Sequence, residues 1–127
     1  MERRPHTVAI VEDDPGMRRG IERLLNALVF EVEIYDSAEA FLARDPASRV
    51  GCLVLDIHLP GMSGFELRHQ LTAAGSALPV IFITASDNDA VETAAIEAGC
   101  AACLHKPFPA ELLITAVTNA LNGLQAG

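Results

Sequence analysis

Tryptophan is missing from this 127-residue chain, tyrosine occurs once, and aromatic residues make up only 5%. Positive charge is scarce as well, with nine Lys and Arg against 17 Asp and Glu and a formal net charge of −8. Without a stripe of basic residues interleaved with aromatics, direct contact with nucleic acid is a poor reading. No apolar run approaches the ~20 residues that a bilayer-spanning helix needs. The opening MERRPHTVAIVEDD is basic, briefly apolar, then acidic, which is not the order of a signal peptide. A cytoplasmic protein without membrane contact is therefore expected. Cysteine is sparse and odd in number, at Cys52, Cys100 and Cys103, which argues against a disulfide framework. Cys100 and Cys103 have CxxC spacing with His105 close by, yet no second ligand pair or helix start accompanies them. They are expected to be small buried residues.

What is present is apolar and periodic. Half of the residues are hydrophobic, enough for one domain with a sizeable core. HTVAIVE at 6–12 reads as a strand buried on both faces. Asp14 and Pro15 then supply an N-cap and a first-turn proline, with Ile21, Leu24, Leu25 and Leu28 as a helical stripe. EVEIY at 31–35 alternates as a strand, and Ser37 can cap a helix through Phe41 and Leu42. CLVL at 52–55 predicts a third strand ending at Asp56, followed by capping-box spacing at Ser63 and Glu66 with Phe65, Leu67 and Leu71 behind it. PVIFIT at 79–84 predicts a fourth strand, and Asp89 with Glu92 repeats the capping spacing before a helix ending near Gly99. A weak strand at 101–104 and a helix at 112–121 complete the pattern, with a frayed tail NGLQAG. Five βα units with short connections imply a parallel sheet covered by helices on both faces.

One stretch breaks the apolar rule. In CLVLDIHLPGMSG, residues 52–64, a buried-looking strand carries a carboxylate to its tip. Ligands in such sheets bind outside the carboxyl ends of the strands, and other polar residues fall on that rim. Glu12, Asp13 and Asp14 follow the first strand, Thr84 ends the fourth and Lys106 follows the fifth. If the first and third strands are neighbours, Glu12, Asp13 and Asp56 converge. Two like charges ~4 Å apart repel by about 4 kcal/mol at an effective dielectric near 20, so a proton or a cation must relieve them. An all-oxygen site with few protein ligands suits Mg²⁺. With Lys106 and the Thr84 hydroxyl added, the set fits phosphoryl transfer, and Asp56 is the natural nucleophile for an acyl phosphate.

These residues resemble the receiver domain of bacterial two-component response regulators. The resemblance rests on VEDD at 11–14, LDIHLPGMSG at 55–64, ITA at 83–85 and HKPF at 105–108, and covers nearly the whole chain. It implies a flavodoxin-like, doubly wound five-stranded sheet of order 2-1-3-4-5 with five helices. It implies one receiver domain over 1–127 with an ordered core of about 6–122, either a stand-alone receiver or one half of a regulator whose output domain, such as a helix-turn-helix, is absent from this chain. Asp56 is expected to accept a phosphoryl group from a sensor histidine kinase or a phosphotransfer protein. Asp13, Asp56 and the backbone carbonyl of His58 are expected to ligate Mg²⁺, with Glu12 holding it through water. Lys106 should pair with the phosphoryl group, the Lys106-Pro107 peptide should be cis, and Thr84 should be the switch hydroxyl. His58 and Ser86 occupy positions that tune acyl-phosphate lifetime in the family, although His58 could equally serve through its carbonyl alone.

The resemblance also implies a switching surface on the fourth helix, fifth strand and fifth helix, with phosphorylation-dependent homodimers possible. One departure concerns Cys103, which stands where the family often has an aromatic residue coupled to the threonine. His105 reads as a plain surface residue, and His6 and His69 have no evident partner. Two other functions compete. A small aspartyl-phosphate phosphatase would want an Asp where His58 stands, and a degenerate receiver used as a fixed binding module would not need Asp56, Asp13, Thr84 and Lys106 intact. A signalling switch that assists its own phosphorylation and dephosphorylation, rather than an enzyme, is the expectation.

Overall fold

The computed structural model describes residues 7–28, 30–45 and 49–126, with side chains of the last helix described as far as Asn122. The elements alternate: β1 (Thr7–Val11), α1 (Pro15–Asn26), β2 (Glu31–Tyr35), α2 (Ala38–Leu42), β3 (Val50–Asp56), α3 (Gly64–Ala73), β4 (Val80–Thr84), α4 (Asp89–Glu97), β5 (Ala102–His105) and α5 (Ala110–Ala126). All strand pairs are parallel, and the sheet order is β2-β1-β3-β4-β5.

Alternation of side chains along the strands divides the core in two. Val8, Ile10, Val54, Ile81 and Ile83 pack with Ile21 and Leu25 of α1 and Leu113 and Val117 of α5. Ala9, Val11, Leu53, Leu55 and Phe82 face the other way, onto Phe41 of α2, Leu67 and Leu71 of α3 and Ala95 of α4. Burying each large aliphatic side chain is worth about 1.5–3 kcal/mol, so the continuous apolar runs of β1, β3 and β4 are explained by cover on both faces. Edge strand β2 alternates instead, and Ile34 remains 42% exposed.

Caps fix where the helices begin. The Asp14 carboxylate accepts from Gly16 N at 3.1 Å ahead of Pro15, Ser37 caps α2, and Ser63 with Glu66 closes a reciprocal capping box on α3. The fourth helix corrects the sequence reading. Its N-cap is Asn88, which accepts from Ala90 N at 2.8 Å, and Asp89 is the first helical residue. A caps-capable side chain one residue earlier takes the role, leaving the Asp89 charge near the positive end of the helix. Gly99, at φ +80°, follows the helix, and the Arg68 guanidinium donates to the carbonyls of Ala98 and Gly99.

Other boundaries shift modestly. The third strand starts two residues before Cys52, the fifth is one residue later than expected, and the final helix begins earlier and runs to Ala126. Leu28 leaves the expected stripe and is 40% exposed, because α1 has ended before it. His6 and, beyond Asn122, the side chains of the expected frayed tail lie outside the described residues. Among the described residues no helix is long and apolar enough to cross a membrane.

Candidate functional site

Register carries the polar residues to one rim. Val11 pairs with Leu55 across β1 and β3, so Glu12 leaves its strand beside Asp56. Asp56 pairs with Ile83, and Thr84 with His105, which sets Lys106 one step past the end of β5. Backbone bonds extend the order beyond the strands: Ile57 N donates to Ile83 O at 3.0 Å and Lys106 N to Thr84 O at 2.7 Å. The Lys106-Pro107 peptide is cis, as expected.

The expected residues meet. Lys106, the only lysine of the chain, donates through Nζ to Glu12 Oε1 at 2.7 Å and to Asp56 Oδ2 at 3.1 Å. His58 N donates to the other Asp56 oxygen at 2.9 Å. Glu12, Asp13 and Asp56 each present an oxygen, and the three lie within 4.8 Å of one another. Glu12 and Asp56 are buried whereas Asp13 is exposed, so the cluster opens to solvent on one side.

Such crowding shifts proton affinities. Burial pushes the Glu12 carboxyl up to about 7; the Lys106 ammonium pulls it back only in part, and Asp56 pushes it further. Burial works to lower the Lys106 pKa, but the Glu12 and Asp56 carboxylates outweigh it and hold the ammonium above its ordinary value. One cation thus faces several carboxylates, and a second positive charge would relieve the remainder. The donor set is all oxygen and open on one side, which fits a hard divalent ion that keeps waters.

Thr84 and His58 lie beside this cluster. The buried Thr84 hydroxyl accepts from Ser86 N at 3.0 Å, and the His58 ring Nε2 is 3.1 Å from it. The His58 side chain therefore makes a contact of its own. Next to Thr84 lies a cavity of about 150 Å³ lined by Ser86, Glu92, Cys103 and His105. The small Cys103 side chain borders this space. His105 is exposed, as expected of a surface residue, and its Nε2 lies 2.7 Å from Oδ1 of the exposed Asp87 in the loop after β4. Cys100 and Cys103 are half-buried rather than buried, because they edge the α4 side of the core; both thiols are free, and burial raises both pKa values. His69 is exposed beside the groove between α3 and α4.

The roles of three supporting residues escape sequence reading. Arg18 Nη1 donates to the Glu12 carbonyl at 2.8 Å, from the first turns of α1. Glu39 accepts from Met62 N at 3.0 Å across 23 residues, holding the loop after β3, and that bond is the main reason its pKa is lowered. Gly64 donates to the Ile57 carbonyl at 2.9 Å, and a Cβ there would stand 2.5 Å from the Asp56 carbonyl oxygen. Gly64 at least was visible as a glycine soon after Asp56; Arg18 and Glu39 carried no local signal, because their partners are set by tertiary folding.

Comparison with known proteins agrees with this geometry. Residues 8–118 match the family model described as the response regulator receiver domain. The response regulator protein TodT of Pseudomonas putida is 34% identical over 121 residues, covering 95% of this chain and 53% of that protein. The chain thus spans about half the length of the curated relatives it matches. Among solved structures, FixJ-N superposes with a TM-score of 0.85 at 35% identity, covering 96% of each chain. The BeF3-activated DrrB receiver domain superposes at 0.81 with 28% identity, covering 91% of this chain and 97% of its own.

Proposed function

The chain belongs to the receiver-domain family of response regulators, and from that membership we propose that Asp56 accepts a phosphoryl group from a histidine of a sensor kinase or phosphotransfer protein. The family consists of signalling regulators rather than ordinary enzymes. The observation that carries the proposal is the Lys106 ammonium bridging Asp56 and Glu12 inside a cluster of three converging carboxylates. In the reaction an Asp56 oxygen attacks phosphorus, the phosphorus–nitrogen bond breaks, and the donor nitrogen leaves with the electron pair and takes up a proton. Asp13, Asp56, the His58 carbonyl and Glu12 would hold Mg²⁺, which when bound supplies positive charge to the phosphoryl oxygens. Lys106 exchanges its bond to Asp56 for one to the phosphoryl group. The phosphatase and fixed-module readings are not favoured by this family membership.

A protein donor must reach the rim from outside. Beside it, Gly16, Met17, Gly20 and Ile21 of α1 and Phe108 line an apolar groove against α5. Met17 follows Asp14 by one turn of helix, and Phe108 follows Lys106 by two residues, so a donor helix seated there would bring its histidine to Asp56. Ile96 on α4 and Leu112 on α5 are large apolar residues left 64% and 51% exposed, which supports a homodimer face on that side of the phosphorylated form. Incubation with a small acyl-phosphate donor and Mg²⁺, read by intact mass, tests the acceptor. One phosphoryl group on the wild type and none on Asp56→Asn is the expected result; turnover of a phosphorylated metabolite would overturn it.

A further inference from the structure

Thr84 has one hydroxyl proton and two lone pairs to place. The Ser86 N–H takes one lone pair at 3.0 Å, and the His58 Nε2 lies 3.1 Å from the same oxygen. Thr84 is 3% exposed, so solvent has little access to replace either contact. Among the described residues the hydroxyl bonds to neither Asp56 nor Lys106, which are bonded to each other. For its oxygen to approach a group carried by Asp56, the hydroxyl must leave the position in which the His58 ring now meets it.

His58 is placed to sense both ends of the event. Its amide donates to Asp56 Oδ1 at 2.9 Å while its ring meets Thr84, so one residue is fastened to the acceptor by its backbone and to the threonine by its side chain. With Nε2 as acceptor the ring occupies the hydroxyl proton; with Nε2–H as donor it occupies the second lone pair. Either way the oxygen is held on the side of His58 and Ser86. Building on the reading of Asp56 as acceptor, we propose that the His58 imidazole is a positioning residue that latches Thr84 in its resting orientation, so that switching must break this hydrogen bond. The latch sets how readily the phosphorylated chain changes its surface, through the threonine rather than through shielding of the acyl phosphate.

Two variants separate the bond from the bulk of the ring. His58→Phe keeps a ring and removes the nitrogen, whereas His58→Gln has an amide of similar reach. Beryllofluoride with Mg²⁺ serves as a phosphoryl analogue that does not hydrolyse. His58→Phe is expected to bind it roughly three- to tenfold more tightly than wild type, the range that loss of one net hydrogen bond covers. His58→Gln should stay near wild type, and in a Thr84→Val background His58→Phe should have no further effect. The Thr84 methyl signal in NMR, recorded without analogue, should move in His58→Phe toward its analogue-bound position. An unmoved methyl signal, or equal tightening in the Thr84→Val background, would overturn the latch. If wild type takes up no beryllofluoride, or Asp56→Asn takes it up equally, the acceptor reading fails and the latch's role in switching fails with it. The methyl signal still reports separately whether the imidazole holds the threonine.

Discussion

At the scale of single residues, Glu12 carries the clearest consequence. Its carboxyl titrates near its ordinary value of 4.5 in the unfolded chain and at about 7 in the folded one. Between those values the folded state binds more protons, so stability is fully present below 4.5 and falls as pH rises toward 7. The fall amounts to about 3 kcal/mol for a shift of this size. Urea titrations in chelator should show this decline for wild type and a flatter profile for Glu12→Gln. Added Mg²⁺ should restore more stability at about pH 8 than at about pH 5, because the ion needs the ionised carboxylate. Gly64 makes a second prediction. A methyl group there meets the backbone of Asp56 and Ile57 at 2.5–3.1 Å, so Gly64→Ala should cost about 1–3 kcal/mol in chemical denaturation. Sequence alone singled out Asp56, Glu12, Lys106 and Thr84 as candidates, because a charged or hydroxyl residue at the end of an apolar strand is conspicuous. It left the roles of Arg18 and Glu39 hidden, since Arg18 reaches a backbone carbonyl, which no residue type signals, and Glu39 a partner 23 residues away.

At the scale of elements, helix α1 offers a test in which docking and folding move oppositely. A side chain at Gly20 meets nothing within 4 Å, and replacing a mid-helix glycine gains roughly 0.5–1 kcal/mol in helix propensity. Gly20→Gln should therefore raise the thermal midpoint and leave phosphorylation by a small donor intact. Transfer from a phosphohistidine protein should slow at least several-fold, measured by transfer of radiolabel. Helix α4 shows where a local rule misleads. Asp89 and Glu92 have capping spacing, yet Asn88 caps the helix, so Asn88→Ala should lose about 1 kcal/mol where Asp89→Ala loses less. Neighbouring plausible caps compete, and the loop from Thr84, held by the Ser86 amide and hydroxyl, decides which one is in position.

At the scale of the whole molecule, the expected readout is association. Light scattering should show the phosphorylated chain doubling its mass, while Leu112→Glu stays monomeric and still accepts the phosphoryl group. Family membership and the strand order follow from patterns spread over most of the chain, since runs buried on both faces must alternate with helices and parallel strands need crossovers. The sequence by itself therefore determined the layering of the fold, the rim on which polar residues gather and the acidic residues among them. Only the tertiary structure decided that Lys106 bridges Glu12 and Asp56, that Glu39 fastens the loop after β3, and that the His58 ring meets the Thr84 hydroxyl. The reason is physical: periodicity and caps are local and repeat along the chain, whereas a hydrogen bond requires two atoms about 3 Å apart, and that separation is set by register and packing between residues far apart in the chain.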